Sequence, residues 1–178
     1  MRIVGGTYGG RIIAVSKGFD SRPTTDFAKE ALFNILENHF NIEDMRVLDL
    51  FSGTGSISYE FASRGCSEID LVDMNSRSIQ FIAKVASDMG MKGIHTVRMD
   101  VFRFISICKK QYHVIFADPP YDLKNIQDIP AMIFSYPILE PGGWFILEHG
   151  KSNNFKSDPH FFQERNYGSV HFSFFRKL

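Results

Sequence analysis

Val47-Leu48-Asp49-Leu50-Phe51-Ser52-Gly53-Thr54-Gly55-Ser56 sets two glycines, one residue apart, directly after a short apolar run. The run, residues 46–50, reads as a strand. Glycines at such a loop let the backbone take positive φ and approach a ligand closely. A helical pattern follows to about Arg64, with Gly65 placed to stop it. A strand, a glycine loop and a helix in that order open a doubly wound α/β sheet.

The alternation continues downstream. Strand patterns fall at 68–72, 94–99, 112–117 and 144–148, the last after a Pro141-Gly142-Gly143 turn. Helical patterns lie between them at 76–89, 101–110 and, more loosely, 126–135; Asn75 or Ser76 caps the first of these and Gly90 ends it. Two closing strands, 161–166 and 170–175, are joined by Tyr167-Gly168-Ser169. The expected fold is Rossmann-like α/β: a mostly parallel sheet covered on both faces, with an antiparallel edge hairpin. Upstream lie a small β element (2–4 and 11–15), the segment Ser21-Arg22-Pro23-Thr24-Thr25, and a helix. That helix is capped by Thr24 or Thr25 and keeps Phe27, Ala28, Ala31, Leu32, Ile35 and Leu36 on one face. Residues 1–178 read as one domain, 1–25 forming the β element and its arm and 26–178 the body.

Composition fits that reading. Apolar residues make up 44% and charged residues 22%, the balance of a globular protein and not a disordered one. No apolar run approaches the roughly 20 residues of a membrane span, and the first residues lack a signal peptide's apolar core, so the cytoplasm is expected. Cys66 and Cys108 are far apart and read as reduced packing residues; the six histidines show no ligand spacing, so no metal is expected. Net charge is zero, which argues against indiscriminate coating of nucleic acid. Residues 1–29 nevertheless carry a local balance of +3 on a body of −3, an arm suited to a phosphate backbone or simply a solvated face.

The loop's chemistry is set by its carboxylates. The dinucleotide fingerprint asks for a third glycine where Ser58 stands, and Asp49 at the strand end would repel a pyrophosphate. A carboxylate there suits a cationic ligand. S-adenosylmethionine, with a sulfonium and an ammonium, meets that requirement. Asp73 ends the second strand, where a carboxylate can accept from both ribose hydroxyls. Asp100 ends the third, within reach of an adenine amine, with the Val101 N–H and an apolar face from Met74 beside it. Each aspartate alone reads as readily as a helix cap or turn residue. Three at successive strand ends beside a glycine loop point to a ligand, held by Asp49, Phe51, Ser52, Gly53, Gly55, Asp73, Met74, Asp100 and Val101.

Asp118-Pro119-Pro120-Tyr121 follows the apolar strand 112–117. Two prolines fix φ and remove two donors, so the loop presents rigid acceptors. An exocyclic base amine needs such a site, because its lone pair is delocalised into the ring. Accepting its protons on the Asp118 carboxylate and a proline carbonyl localises that pair toward an electrophilic methyl group. Tyr121 can stack on the base. With a 3-2-1-4-5 strand order, this loop and the glycine loop leave neighbouring strands at the switch point and share one crevice.

Together these residues resemble the bacterial 16S ribosomal RNA guanine-N2 methyltransferase family called RsmD. The resemblance covers essentially the whole chain. It runs through Arg2-Ile3-Val4-Gly5-Gly6 to Gly10-Arg11, Arg22-Pro23-Thr24-Thr25-Asp26, Lys29-Glu30-Ala31-Leu32-Phe33-Asn34, the glycine loop, Ser63-Arg64-Gly65, Asp118-Pro119-Pro120-Tyr121 and Leu147-Glu148-His149. It implies a class I S-adenosylmethionine-dependent fold without metal. It also implies methylation of the N2 amine of one loop guanine in 16S ribosomal RNA, on a partly assembled small subunit, by a monomer. Carried over by position, 118–121 are catalytic, and Arg11, Arg22, Thr24 and Thr25 face the RNA. Two departures stand out: Gly9 where many members have lysine, and Asp73 where glutamate is common.

The nearest rival, a DNA adenine-N6 methyltransferase, usually carries a target-recognition insertion for which this chain has no room. A protein glutamine methyltransferase would more typically have Asn at 118, and an NAD-linked oxidoreductase is disfavoured by Asp49 and Ser58. A catalytically inactive RNA-binding module on the same fold would have little use for an intact Asp-Pro-Pro-Tyr.

Overall fold

The structure is a computed structural model and describes residues 1–15, 18–19 and 24–177. One seven-stranded sheet organises it: β1 (Arg46–Leu50), β2 (Glu68–Asp73), β3 (Ile94–Arg98), β4 (Tyr112–Ala117), β5 (Leu139–His149), β6 (Phe161–Tyr167) and β7 (Val170–Arg176), in the order β3-β2-β1-β4-β5-β7-β6. The first five run parallel; β7 lies antiparallel to β5, and β6 antiparallel to β7. The helices are α1 (Asp26–Glu37), α2 (Ser56–Ser63), α3 (Ser76–Met89), α4 (Val101–Ile107) and α5 (Ile129–Ser135).

Alternation along each strand divides the core into two layers. Val47, Ile69, Leu71, Val114, Phe116 and Ile146 pack with Leu32 and Leu36 of α1, Ile57 and Phe61 of α2, and Ile82 of α3. Leu48, Leu50, Val72, Ile115, Phe145 and Leu147 face the other way, onto Val101 and Ile105 of α4 and Ile129 and Ile133 of α5. The same period of two sends Asp49, Asp118 and Glu148 to the first face, beyond Val47, Phe116 and Ile146.

Four elements differ from their sequence reading. The N-terminal β element contracts to a single bridge, Arg2 with Ile12, because the chain between them turns through Gly6 and Gly10, both at positive φ. The helix expected over 101–110 stops at Ile107. Lys110 Nζ lies 2.9 Å from Asp70 and the Tyr112 hydroxyl donates to the same carboxylate, which draws this segment back to β2. β5 starts at Leu139 and not Trp144; the Pro141-Gly142-Gly143 stretch is absorbed as an irregularity in register between Tyr112–Leu139 and Val114–Trp144.

The face of α1 is also rotated. Phe27 is 69% exposed and meets Tyr167 edge-on, while Lys29 is buried. Its ammonium donates to the Arg2 carbonyl and lies 3.5 Å from buried Glu60, which also accepts from the Val4 and Gly5 amides and pairs with Arg64. A cation on an apolar face is stable only with such partners, and these tie the N-terminal element to α2. Thr25 caps α1, its hydroxyl accepting from the Ala28 amide at 3.2 Å. Thr25→Ala is expected to cost about 1 kcal/mol and lower the midpoint of thermal unfolding by roughly 2–4 °C. An unchanged midpoint would show that this cap adds nothing.

Candidate active site

The ends of β1 and β4 build the site. Leu50 stands opposite Ala117, so Phe51 and Asp118 leave adjacent strands side by side. Phe51 is the one non-glycine among the described residues at positive φ (57°), a conformation costing about 1–3 kcal/mol for a side chain of this size. Gly53 and Gly55 follow in the same half of the map, at 52° and 79°. A Cβ at Gly55 would lie 3.0 Å from both Ile82 and Tyr59, so this glycine answers to packing as well as to φ. Bonds to β2 anchor the loop: the Ser52 amide donates to the Val72 carbonyl (3.3 Å) and the Gly53 amide to Asp73 Oδ2 (2.9 Å).

Three carboxyl groups converge here without a cation paired to any of them among the described residues. Asp49 is buried and accepts from the Ser58 hydroxyl at 2.6 Å. Burial raises its pKa to about 7, aided by the negative charge of Asp73 and opposed by the Ser58 hydrogen bond. Burial likewise pushes Asp118 well above the ordinary carboxylate range, with the charges of Glu148 and Asp49 adding to the effect. Glu148, at the end of β5, is raised to about 7 by burial, although the Thr24 hydroxyl donating to its Oε2 at 2.7 Å opposes the shift.

A cavity of about 30 Å³, room for one water or one methyl group, lies between Asp49, Phe51, Gly53, Asp118 and Thr24, with Phe116 beneath. Ser52 and Ser56 also line it, and each has a buried hydroxyl without a hydrogen-bond partner. A second, wider cleft of about 490 Å³ opens beside Tyr121, bounded by Gly150, Lys151, Ser152, Gly168 and Ser169. The register of β5 with β7 puts the β6–β7 turn at the same end of the sheet as the glycine loop.

The expected residues thus divide into groups. Asp49, Phe51, Ser52, Gly53, Thr24 and Asp118 meet in one cavity. Pro119 is buried behind it, Pro120 is exposed, and Tyr121 borders the wider cleft. Asp73 braces the glycine loop and the Asn75 amide; Asp100 caps α4 through the Arg103 amide, and Val101 begins that helix. These are the cap and turn roles open to any strand-end aspartate; Asp73 sits at the mouth of the strand next to the loop, and Asp100 at that of the strand beyond it. Met74 is 67% exposed. Arg11 packs over Tyr8 in the N-terminal element, Thr25 is used as a cap, and Arg22 lies outside the described residues.

Sequence reading missed Ser58 and Ser56, and left open whether Glu148-His149 is more than a strand end. Ser58 counted only as a missing glycine, yet it holds the key aspartate. His149 is oriented by the Gly150 carbonyl (2.9 Å) and the Ser173 hydroxyl (2.8 Å), and burial lowers its pKa; its ring packs at the strand end.

The residues present fit a sulfonium donor. An uncompensated buried carboxylate, two unpartnered hydroxyls and a loop with positive-φ glycines offer acceptors and close backbone approach to a cationic, hydroxyl-bearing ligand. No helix among the described residues is long and apolar enough to cross a membrane, and no group of acidic, histidine and cysteine residues among them is arranged to hold a metal.

Fold and crevice together define an α/β methyltransferase domain. The chain belongs to the family described as conserved hypothetical protein 95, whose model matches residues 1–176. YlbH of Bacillus subtilis is 32% identical over 155 residues, covering 85% of this chain and 83% of its own length. The Escherichia coli ribosomal RNA small subunit methyltransferase D is 28% identical over 148 residues, 83% of this chain and 71% of the relative. Among solved structures, a hypothetical protein of Thermus thermophilus superposes with a TM-score of 0.85 at 26% identity, over 99% of each chain. A 16S rRNA N2 methyltransferase of that organism, RsmC, solved with AdoMet and guanosine, shares the fold at a TM-score of 0.72 and 20% identity, over 89% of this chain and 45% of its own. S-adenosylmethionine, the donor expected from the sequence, is held by that RsmC, and SAH by a further neighbour of this fold, the methyltransferase SMU.776.

Proposed function

We propose that this chain transfers a methyl group from S-adenosylmethionine to the exocyclic N2 amine of one loop guanine in 16S ribosomal RNA. It acts in the cytoplasm, as a monomer, on a partly assembled small subunit. The observation that carries the reading is the meeting of Asp49 and Asp118, from the donor loop and the Asp-Pro-Pro-Tyr loop, in one cavity at the switch point. The named relative supports small-subunit ribosomal RNA as the acceptor.

The donor, when bound, supplies a methyl group on a positively charged sulfur. Asp49, with the Ser52 and Ser56 hydroxyls, would hold its cationic end; Asp73 and Asp100, with Met74 and Val101, would hold its nucleoside. Asp118 and a proline carbonyl accept the two N–H groups of the guanine amine, which turns the nitrogen lone pair toward the methyl carbon and stabilises the charge that develops there. The target base must leave its stack, at a cost of a few kcal/mol that is smaller in a loop than in a duplex. Tyr121, 51% exposed beside the wide cleft, offers a stacking face, and Lys151 a cation for the adjoining phosphate. Tyr121→Ala is therefore expected to raise the KM for ribosomal substrate about tenfold and leave the donor Kd unchanged. Steady-state kinetics at saturating donor checks this, and an unchanged KM removes Tyr121 from the acceptor site.

The deciding experiment is transfer of labelled methyl from S-adenosylmethionine to small subunits from cells lacking the gene, with naked 16S RNA and genomic DNA in parallel. Label recovered as N2-methylguanine at one loop position supports the reading. Label confined to DNA adenine replaces it with the adenine-N6 alternative. No label on any of the three, despite donor binding, rejects an RNA acceptor.

A further inference from the structure

We propose that Asp118 and Glu148 act as one acidic pair that carries a single proton, with Glu148 the positioning residue that decides when Asp118 can take protons from the target amine. The inference rests on the function proposed above. Strand register brings the two together. β4 and β5 run parallel with Ala117 opposite Leu147, so Asp118 and Glu148 are the next residues across from one another on strands about 4.8 Å apart. Both point to the face of Phe116 and Ile146. Glu148 is 1% exposed, and neither carboxyl has an ion-pair partner among the described residues. Two carboxyl groups so close, one of them fully buried, resist ionising together.

Among the described residues no cation is paired with them. From β1 the pair is faced by Asp49, a third acid; from β7, Phe172 stands opposite Glu148; from the segment before α1 comes the Thr24 hydroxyl. Lys29, the buried cation of this layer, is engaged with Glu60 and the Arg2 carbonyl. His149 turns its ring to Gly150 and Ser173. Thr24 donates to one oxygen of Glu148, which fixes that carboxyl and favours its ionised form, and so presses the proton toward Asp118. The unpartnered Ser52 and Ser56 hydroxyls, in the same cavity as Asp118, mark this as the place where a ligand completes the hydrogen bonding.

The chemistry balances around one proton. The amine nitrogen forms a bond to the methyl carbon as the methyl–sulfur bond breaks and its electron pair stays on sulfur, which becomes neutral. The nitrogen now carries a positive charge and a surplus proton. Asp118 accepts that proton only once the pair has given up the proton that the Glu148 charge holds on it, and then releases the new one to water. Activity therefore rises with pH along a limb that belongs to the pair.

Glu148→Gln tests this. It keeps the size of the side chain and the Thr24 contact but removes the like charge. The acid limb of kcat is expected to move about one pH unit lower, because Asp118 then ionises more easily. A purely structural role lowers the amplitude and leaves the limb in place, which overturns the proposal. A second readout needs no turnover: in ligand-free protein with carbon-13-labelled aspartate carboxyls, the Asp118 signal, assigned with Asp118→Asn, should titrate at lower pH in Glu148→Gln than in wild type. Coincident titrations overturn the pairing even if transfer to RNA succeeds. If transfer fails but the titrations separate, the pair stands and the acceptor is wrong. Should Glu148→Gln fail to fold, Thr24→Val keeps the acid and removes its hydrogen bond; with glutamate carboxyls carbon-13-labelled instead, the Glu148 signal is then expected to titrate higher, and an unmoved signal overturns the proposal.

Discussion

Asp118→Ala is expected to lower kcat for methyl transfer by about 10³-fold while the donor Kd changes by less than about twofold. The separation follows from where the side chain sits. Asp118 leaves β4 beside Phe51, lines the same cavity as Asp49, and has its backbone amide tied to the Leu50 carbonyl at 3.3 Å, so the loop's position does not depend on the carboxyl. What the carboxyl supplies is an acceptor and negative charge at the point where the amine becomes cationic, a contribution made in the transition state and worth about 10²–10³ when a single group is removed. Loss of the pair's proton-accepting step places the expectation at the upper end. Asp118→Asn keeps a carbonyl acceptor without the charge and should fall between wild type and alanine. Isothermal titration with S-adenosylmethionine and single-turnover transfer to small subunits measure the two quantities separately. Equal losses in both would move Asp118 into the donor site.

Strand ends were the legible part of this chain. Arg46–Leu50 and Tyr112–Ala117 are read correctly from their apolar runs because central parallel strands are buried on both faces and need no pattern from their neighbours. The meeting of Asp49 with Asp118 follows from that topology alone. Less visible was everything decided across the sheet. Lys29 sits on an apolar helix stripe where sequence offers no reason for a cation; only the fold shows Glu60 and the Arg2 carbonyl around it. Ser58 is nine residues from Asp49 and Thr24 is 124 from Glu148, so neither hydrogen bond leaves a local signature. Asp73 and Asp100 show the converse: their positions at strand ends are as read, while their bonds to the Gly53 and Arg103 amides are the loop-bracing and capping roles that any such aspartate can fill.

The strongest consequence for donor binding comes from Asp49. Its carboxyl lies in the core end of the cavity with one hydrogen bond, from Ser58, and its pKa stands at about 7 against an ordinary 3.8. A cationic ligand binds the ionised form, so affinity for S-adenosylmethionine should climb as pH rises from about 6 to about 8 and level off above. Asp49→Asn should weaken that binding about a hundredfold at pH 8 and abolish its pH dependence, since a charge held in a dry site is worth about 2–5 kcal/mol to its partner. S-adenosylhomocysteine, neutral at sulfur, should lose less. The ligand-free fold responds with the opposite sign. A carboxyl whose pKa is raised on folding stabilises the native state fully below its unfolded value and loses that contribution as pH rises through about 7. Wild-type protein should therefore unfold at a lower temperature at pH 8 than at pH 5, with the slope reduced in Asp49→Asn and offset by saturating donor. Calorimetry at pH 6, 7 and 8, with thermal unfolding over the same range, reads both effects. An asparagine variant that keeps the wild-type pH dependence of binding would mean that the charge facing the sulfonium comes from another group, with Asp73 as the next acid along the loop.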